Sequence, residues 1–240
     1  QAFWKNRSVF LSGHTGFKGG WLALWLSELG AKVHGYSLEM PSNPNFFSEI
    51  NLEDRIESST IGDIRDLDKL ISAMKTSKAS VVIHMAAQSL VRESYNAPLE
   101  TFTTNIIGTV NVFEAVRKAE TVEAIVNITT DKCYDNKEWF WSYRENDSLG
   151  GHDPYSSSKA CAELISSSYR KSFFMKSGTH LASVRAGNVI GGGDWGKDRL
   201  IPDLFRAIDT GKTLRIRSPN SVRPWQHVLE PLSGYLMLAE

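Results

Sequence analysis

Two short segments contain the residues with the clearest chemical potential. The apolar stretch 9–12 leads into a Gly-x-x-Gly-x-x-Gly turn over residues 13–19, followed by a predicted helix from Trp21 to Leu29. Tyr155 and Lys159 stand four residues apart, so on a helix they face the same side. A glycine turn between a strand and a helix can hold the pyrophosphate of a dinucleotide, and an ammonium beside a phenol favours the phenolate. Together the two segments predict a nicotinamide dinucleotide site with a proton acceptor beside it.

Short apolar strands alternate with amphipathic helices along most of the chain. The predicted strands are Val9–Leu11, Lys32–Ser37, a weak one near Ser58–Ile61, Val81–His84, Ala124–Thr129 and Leu181–Arg185. The predicted helices are Gly19–Leu29, Asp66–Met74, Leu99–Lys118 and Tyr155–Lys176. This alternation predicts an α/β fold, a Rossmann-type doubly wound parallel sheet with right-handed crossovers.

The pattern changes after residue 187. A glycine-rich loop at 191–196 precedes a predicted helix, Leu200–Thr210, and a predicted short strand, Leu214–Arg217. We therefore expect residues 1–187 to form the dinucleotide-binding domain. Residues 188–240 are expected to begin a smaller C-terminal substrate-binding lobe, interleaved with Rossmann elements. The chain has no initiator Met, and its last residues resemble a helix without a stop signal, which favours a longer protein with a C-terminal part missing.

The composition argues against several classes of partner. The chain has 240 residues, with 27 Lys plus Arg and 27 Asp plus Glu, so its balanced charge gives no reason to expect nucleic acid or a membrane surface. No apolar stretch reaches the ~18 residues of a membrane span. The two cysteines, Cys133 and Cys161, lack metal-type spacing and indicate a reduced, cytoplasmic protein without a metal site.

The glycine turn and the strand ends predict the cofactor contacts. Ser37 ends the second strand where Asp or Glu usually holds the ribose, but no Lys or Arg lies between Lys32 and Arg55 to hold a 2′-phosphate. NAD is therefore favoured over NADP. Lys18 and His14 add positive charge near the pyrophosphate or are solvated loop residues, and both interpretations stay open. The predicted cofactor contacts are Gly13, His14, Thr15, Gly16, Phe17, Lys18, Ser37, Asp63, Ile64, Ala86, Ala87, Gln88, Asn105, Thr129, Tyr155 and Lys159.

The predicted catalytic residues are Thr130, Asp131, Lys132, Tyr155 and Lys159. The first three follow the fifth strand, and ligands bind at the carboxyl ends of strands in such sheets. A free tyrosine titrates near pH ~10. We expect the Lys159 ammonium to lower the pKa of Tyr155, so that the phenolate takes a proton from a sugar hydroxyl. Asp131 and Lys132 provide an adjacent acid and base.

Four motifs extend this interpretation to a known family. They are Gly-His-Thr-Gly-Phe-Lys-Gly (13–19), Thr-Thr-Asp-Lys-Cys-Tyr-Asp-Asn (129–136), Asp-Pro-Tyr-Ser-Ser-Ser-Lys (153–159) and Arg-Ala-Gly-Asn-Val-Ile-Gly-Gly-Gly-Asp-Trp (185–195). In these motifs the chain resembles the extended short-chain dehydrogenase/reductases, and among them the nucleotide-sugar 4,6-dehydratases. Asp131-Lys132 stands where enzymes for TDP-glucose typically have Asp-Glu, so the resemblance is to the branch acting on CDP-glucose.

This resemblance implies a mechanism that converts CDP-D-glucose into CDP-4-keto-6-deoxy-D-glucose. Tyr155, supported by Lys159, removes the O4 proton while the C4 hydride goes to NAD. Lys132 then takes the C5 proton, Asp131 protonates the departing C6 hydroxyl, and the hydride returns to C6. The implied substrate contacts are Ser89, Arg92, Asn188, Arg199 and Arg223. Helices 99–118 and 155–176 are implied to form the interface of a homodimer or a tetramer.

Two alternatives remain at this point. A nucleotide-sugar 4-epimerase of the same fold needs the glycine turn, the tyrosine and the lysine but not the pair Asp131-Lys132. A non-catalytic dinucleotide-binding module needs neither Tyr155 nor Lys159, and both are present. Arg185, at the end of the sixth strand, fits a structural ion pair at least as well as a site residue, and Asn105 can make a polar contact within its helix instead of orienting the site.

Overall fold

A six-stranded parallel sheet forms the centre of the molecule. The computed structural model describes residues 2–240. The strands of this sheet are β1 (Ser8–Ser12), β2 (Lys32–Ser37), β3 (Ser58–Ile61), β4 (Val81–His84), β5 (Ala124–Ile128) and β6 (His180–Val184). Their order is β3-β2-β1-β4-β5-β6, and every neighbouring pair is parallel. The predicted doubly wound Rossmann-type sheet is confirmed, and each predicted strand of this sheet is present within one residue at either end.

The strand register brings the site segments to one edge. Ser12, the last residue of β1, pairs with Tyr36 of β2 and with His84 of β4. The order reverses between β1 and β4, because the chain leaves β3 at one edge and returns to β4 on the other side of β1. In open α/β sheets a ligand binds at such a reversal, beyond the carboxyl ends of the strands. The turns after Ser12 and His84 meet at that position.

Ten α-helices connect the strands of the described chain. They are α1 (Phe17–Glu28), α2 (Phe46–Glu49), α3 (Leu67–Ser77), α4 (Val91–Asn96), α5 (Pro98–Phe102), α6 (Gly108–Ala119), α7 (Pro154–Tyr169), α8 (Met175–Ser177), α9 (Leu200–Thr210) and α10 (Leu229–Ala239). The two long predicted helices are interrupted by wider π-helical turns at Thr103–Ile107 and Arg170–Phe174. No helix among residues 2–240 is both long and apolar enough to cross a membrane.

The start of helix α7 is strongly specified. The Asp153 side chain accepts a hydrogen bond from the backbone N–H of Ser156 at 2.9 Å, which satisfies one of the free donors of the first turn. Pro154 occupies the first helical position, where its missing N–H is not needed. These two residues fix the point at which the helix begins. Tyr155 therefore lies in its first turn.

Two apolar cores cover the two faces of the sheet. Val9 and Leu11 point into the core that packs against α1 and α10, whereas Phe10 points into the core that packs against α3 and α6. This alternation is the period of two that a strand imposes on its side chains. Leu232 and Leu236 of α10 belong to the first core, so the last helix packs on the same sheet as the first.

The segment between β6 and α10 differs from its prediction. A two-stranded parallel sheet forms from β7 (Asn188–Ile190) and β8 (Trp225–His227). The predicted strand Leu214–Arg217 is wrong, because that segment is irregular and mostly exposed and the pairing partner of β7 lies further along the chain. The predicted helix Leu200–Thr210 is confirmed as α9.

Candidate active site

The glycine turn fits closely against the end of strand β4. Gly13 has a φ of +86°, and a Cβ atom there would lie 2.8 Å from the backbone nitrogen of Ala86. A Cβ atom at Gly19 would overlap the carbonyl oxygen of Gly13. Gly16 closes the turn with a hydrogen bond from its N–H to the Gly13 carbonyl at 3.2 Å. Side chains at positions 13 and 19 are therefore sterically excluded.

The amino terminus of α1 opens from this turn. No side chain caps it, and its first turn has no acidic residue. The first N–H groups of a helix lack intrahelical acceptors, and the helix dipole adds positive potential there. An uncapped helix terminus beside a side-chain-free turn fits the pyrophosphate of a dinucleotide.

His14 does not provide the positive charge considered for it. Its ring is buried, with Nε2 2.8 Å from the Ser59 hydroxyl and an edge-on contact with Phe47. Burial lowers the pKa of His14 to about 4, so the ring is neutral at pH 7. A Cβ atom at Gly35 would collide with this ring, so glycine on β2 makes room for it.

Lys18 turns toward the last helix. Its Nζ donates to the Tyr235 hydroxyl at 2.9 Å and lies 5.2 Å from the centre of that ring. Burial, followed by repulsion from Lys159 and Arg199, lowers the pKa of Lys18 to about 8. The ammonium thus lies within electrostatic reach of the site. Phe17, beside it, lies close to the backbone at Gly191.

The predicted ribose and adenine positions surround the ends of β2 and β3. The hydroxyls of Thr15 and Ser37 lie 2.8 Å apart and are buried. Asp63 pairs with Arg65 at 2.5 Å, and that hydrogen bond lowers the pKa of Asp63. Ile64 is buried, and a Cβ atom at Gly108 would overlap its side chain.

A polar network fastens the turn after β4 to helix α7. Asn105, in the π-helical turn, accepts from the Gln88 N–H at 2.9 Å and donates to the Gln88 carbonyl at 3.0 Å and to the Ser158 hydroxyl at 2.8 Å. Its amide is thus engaged within the protein and joins two elements of the site. Ala86 and Ala87, just before Gln88, remain half-buried.

Tyr155 and Lys159 lie buried on one face of α7. Lys159 Nζ donates to the Ile128 carbonyl at 3.1 Å, which fastens the helix to the end of β5. Burial raises the pKa of Tyr155 to about 12, although the Thr130 hydroxyl and the Arg199 guanidinium act to lower it. Burial also lowers the pKa of Lys159 to about 8. The expected lowering of the Tyr155 pKa is therefore wrong for the chain by itself, because desolvation of the phenolate outweighs its favourable neighbours.

The acid–base pair stands at the end of β5. Thr130 donates to the Asp131 carboxylate at 3.1 Å, and Asp131 lies 3.9 Å from Lys132 Nζ. Lys132 Nζ also lies 3.4 Å from the Asn188 side-chain oxygen. The Asp131 and Lys132 side chains are each about one-third exposed, so a bound molecule can reach both. Thr129, one residue earlier, instead donates into the protein, to the Glu163 carboxylate.

The predicted substrate-binding arginines are placed differently from one another. Arg199 is held by Asp194 at 2.9 Å and lies 3.3 Å from the Ser89 hydroxyl. Arg92 pairs with Asp198 at 2.7 Å on the surface, where Arg217 also binds Asp198. Arg223 is exposed and donates only to the backbone carbonyl of Val222, so the structure does not bring it to the other site residues.

Three residues near the site were not predicted from the sequence. Glu163 is buried one helical turn beyond Lys159, so the spacing that identified Tyr155 and Lys159 could have found it. Tyr235 contacts Lys18 across 217 positions of sequence, and Asp194 holds Arg199 from a loop. No local pattern indicates these two contacts.

The comparisons with known proteins agree with this geometry. The model of the GDP-mannose 4,6 dehydratase family matches residues 10–240. The CDP-glucose 4,6-dehydratase of Salmonella typhimurium is 56% identical over 243 residues, covering 99% of this chain and 67% of that enzyme. The chain thus spans about two thirds of that relative's length.

Solved structures share the fold. DesIV, the dTDP-glucose 4,6-dehydratase of Streptomyces venezuelae with NAD and TYD bound, superposes with a TM-score of 0.85 at 25% identity, covering 97% of this chain and 72% of that one. A UDP-glucose 4-epimerase of Thermotoga maritima, with UDP-glucose, reaches 0.84 at 20% identity, covering 97% and 73%, and supports the fold alone. The chain therefore belongs to the GDP-mannose 4,6 dehydratase family, within the extended short-chain dehydrogenase/reductases that its motifs resemble.

Proposed function

We propose that this chain acts as an NAD-dependent nucleotide-sugar 4,6-dehydratase, a hydro-lyase, with CDP-D-glucose as substrate and CDP-4-keto-6-deoxy-D-glucose as product. The observation that carries the proposal is the pair Asp131 and Lys132, 3.9 Å apart and accessible, beside the buried Tyr155 and Lys159. The 56% identity to a CDP-glucose 4,6-dehydratase supports the choice of nucleotide.

The cofactor site suits NAD. The side-chain-free turn at Gly13 and the uncapped start of α1 would hold the pyrophosphate, and Ser37 with Thr15 would hold the ribose. Asp63 and Ile64 would bind the adenine. When bound, NAD supplies a reversible hydride acceptor that takes hydride from C4 of the sugar and returns it to C6. Of the predicted contacts after β4, the Ala86 and Gln88 N–H groups are engaged within the protein, by the Ser12 hydroxyl at 3.2 Å and the Asn105 amide oxygen at 2.9 Å.

Tyr155 moves the first proton. Its phenol oxygen takes the proton of the O4 hydroxyl as C4 is oxidised to a ketone. Lys159 supports this step electrostatically, because an ammonium close to the phenol stabilises the phenolate. Thr130 orients the O4 hydroxyl of the sugar. The Thr130 side chain acts to lower the Tyr155 pKa, which supports a position of Thr130 beside the phenol. The high pKa of the phenol in the chain alone means that bound ligands have to supply part of the stabilisation.

Lys132 and Asp131 carry out the elimination. The C4 ketone acidifies the neighbouring C5–H bond, so the Lys132 amine can take that proton. The Asp131 carboxyl group gives a proton to the C6 hydroxyl, which leaves as water. Asn188, 3.4 Å from Lys132 Nζ, orients the base. Arg199 and Arg223 are proposed to bind the substrate pyrophosphate, because a guanidinium pairs well with phosphate oxygens. Ser89 and Arg92 are proposed to contact the nicotinamide or the sugar.

A direct assay tests the proposal. The protein is incubated with NAD and CDP-glucose, UDP-glucose or TDP-glucose in turn, and the ultraviolet absorbance that base induces in a 4-keto sugar is measured. We expect the 4-keto product with CDP-glucose, at a kcat/KM at least ~10-fold above the other two. Conversion of CDP-glucose to its C4 epimer, without the 4-keto product, would contradict the dehydratase and support an epimerase.

The architecture implied for the rest of the molecule is also a proposal. We propose that residues 1–187 form the dinucleotide-binding domain and that residues 188–240 begin a substrate-binding lobe.

We further propose a homodimer, or a dimer of dimers, through helices 99–118 and 155–176. Large apolar side chains are exposed on these helices or beside them, namely Tyr95, Leu99, Ile107, Leu164 and Met175. Such residues lose unfavourable contact with water in an interface.

Leu164→Asp tests the proposed interface. Leu164 lies on α7 with 60% of its surface exposed, and a buried carboxylate in its place would be costly. We expect the variant to be monomeric by light scattering at concentrations where the parent protein is dimeric. Phe140→Asp, at a fully exposed apolar residue outside both helices, is the control and should keep the oligomeric state of the parent. A parent protein that is monomeric at all concentrations rejects the interface.

A further inference from the structure

A buried carboxylate extends the catalytic face of α7 by one more turn. Glu163 follows Lys159 at four residues and Tyr155 at eight, so the three side chains share one side of the helix. Glu163 is only 6% exposed. A charged carboxylate is rarely buried unless it is paired and hydrogen-bonded. The burial of Glu163 therefore requires charged or hydrogen-bonding partners.

Three residues, at the ends of two strands, supply those contacts. The Arg185 guanidinium binds Glu163 at 3.0 Å, and the Ser183 hydroxyl donates to it at 2.8 Å, both from the end of β6. The Thr129 hydroxyl donates from the end of β5. Burial acts to raise the pKa of Glu163, but these hydrogen bonds outweigh burial and lower it. The carboxylate is therefore ionised at neutral pH.

The ion pair of Glu163 and Arg185 also lies against the turn that carries the proposed acid and base, Asp131–Cys133, here called the acid–base turn. Arg185 lies 4.7 Å from the centre of the Tyr134 ring, which follows directly after the turn Asp131–Cys133. Thr129, another contact of Glu163, comes just before that turn. Glu163 and Arg185 thus touch the chain on both sides of Asp131 and Lys132.

Glu163 also acts against the effect of burial on Lys159, because burial lowers the Lys159 pKa and the Glu163 charge raises it. The titratable groups that act on the Lys159 ammonium are Lys18 from α1, His84 from β4, Cys133 from the acid–base turn and Glu163 from its own helix, on which Tyr155 lies one turn earlier. His84, with a pKa of about 3, and Cys133, with a pKa of about 12, are uncharged at pH 7, and Lys18 repels the ammonium. Among the described residues, Glu163 is the carboxylate that favours the charged form of Lys159.

We propose that Glu163, held by Arg185, is a positioning residue that keeps Lys159 charged beside Tyr155 and fixes α7 against the turn carrying Asp131 and Lys132. This inference rests on the proposed function for its catalytic meaning, but the effect on Lys159 does not require turnover. Lys159 carries its positive charge below its own pKa and loses that charge above it. Removing the carboxylate lowers that pKa, whereas removing the guanidinium and leaving the carboxylate raises it.

Paired variants test the proposal through opposite signs. Glu163→Gln and Arg185→Gln are compared with the parent, all loaded with NAD, by following the 13Cε signal of Lys159 with pH in lysine-labelled protein. The signal is assigned with Lys159→Arg. We expect the Lys159 titration to move down by about one pH unit in Glu163→Gln and up in Arg185→Gln. The alkaline limb of kcat for CDP-glucose should move in the same directions.

The controls separate positioning from general damage. Glu114→Gln removes a carboxylate of a distant ion pair, with Arg117, and should leave the Lys159 titration in place. The double variant Glu163→Gln/Arg185→Gln removes both charges and should titrate between the two single variants and below the parent, because Glu163 is the nearer charge that favours the ammonium. It also covers the case in which a single variant does not fold. Unchanged or same-direction titrations in the two single variants, or a double variant that titrates at or above the parent, would overturn the proposal. If the titrations move as expected and no dehydration occurs with any substrate, the proposed function fails while the coupling to Lys159 stands.

Discussion

Tyr155→Phe is expected to lower kcat for CDP-glucose by about 10³-fold, because the substitution removes the phenol oxygen that is proposed to accept the O4 proton. Phenylalanine keeps the ring and its packing in the first turn of α7, so the fold and NAD binding should persist. The loss should appear in the first chemical step. Reduced nicotinamide absorbance in a single turnover should form about 10³-fold more slowly than in the parent.

The control for this substitution lies on the same helix. Tyr169 is also a tyrosine whose pKa burial raises to about 12, but its hydroxyl binds Glu114, away from the site. Tyr169→Phe should keep kcat within about two-fold of the parent, at a stability cost of about 1 kcal/mol for the lost hydrogen bond. Equal kinetic losses in Tyr155→Phe and Tyr169→Phe would show that the effect comes from the helix and not from the phenol at 155.

The spacing of residues predicted the elements that place this phenol. Apolar runs separated by helical segments predicted the parallel sheet, and the rule that ligands bind at the carboxyl ends of strands located Thr130 to Lys132. The prediction of the sheet is confirmed because it depends on local periodicity, whereas the roles of Thr130 to Lys132 stay predictions. The same local argument, extended by one helical turn, identifies Glu163.

Other features depend on partners far away in sequence. The strand predicted at Leu214–Arg217 is absent because β7 pairs with Trp225–His227 instead, and a three-residue strand has too little pattern of its own to predict its partner. The contact between Lys18 and Tyr235 spans most of the chain. Neither can be read from a short window of sequence.

The electrostatics of the site could not be predicted from the sequence either. An ammonium four residues from a phenol predicts a lowered pKa, yet burial raises the pKa of Tyr155 to about 12. The sequence shows the neighbour but not the depth of burial. His14 illustrates the same limit, because its position in the turn suggested a cation and its burial against Gly35 makes it neutral.

Lys132→Ala should separate the two halves of the proposed reaction. Without the amine, C4 oxidation by Tyr155 and NAD remains possible, but the C5 proton stays in place and kcat for dehydration should fall by about 10³-fold. In deuterated water the parent should exchange hydrogen for deuterium at C5. Mass spectrometry of the recovered sugar should show this exchange reduced by a similar factor in the variant.

Asp131→Asn gives the complementary result, and Lys137→Ala is the matched control. An amide at position 131 cannot protonate the leaving hydroxyl, so deuterium should still enter at C5 in recovered substrate while water loss slows by about 10²-fold or more. Lys137 lies five residues beyond Lys132 and pairs with Asp135 on the surface, so its removal should leave both measurements unchanged. Retention of C5 exchange in Lys132→Ala would assign the base to another group. If C5 exchange were lost in both Lys132→Ala and Asp131→Asn, and C4 oxidation were also slow, Asp131 and Lys132 would act before the elimination, in binding or orienting the sugar.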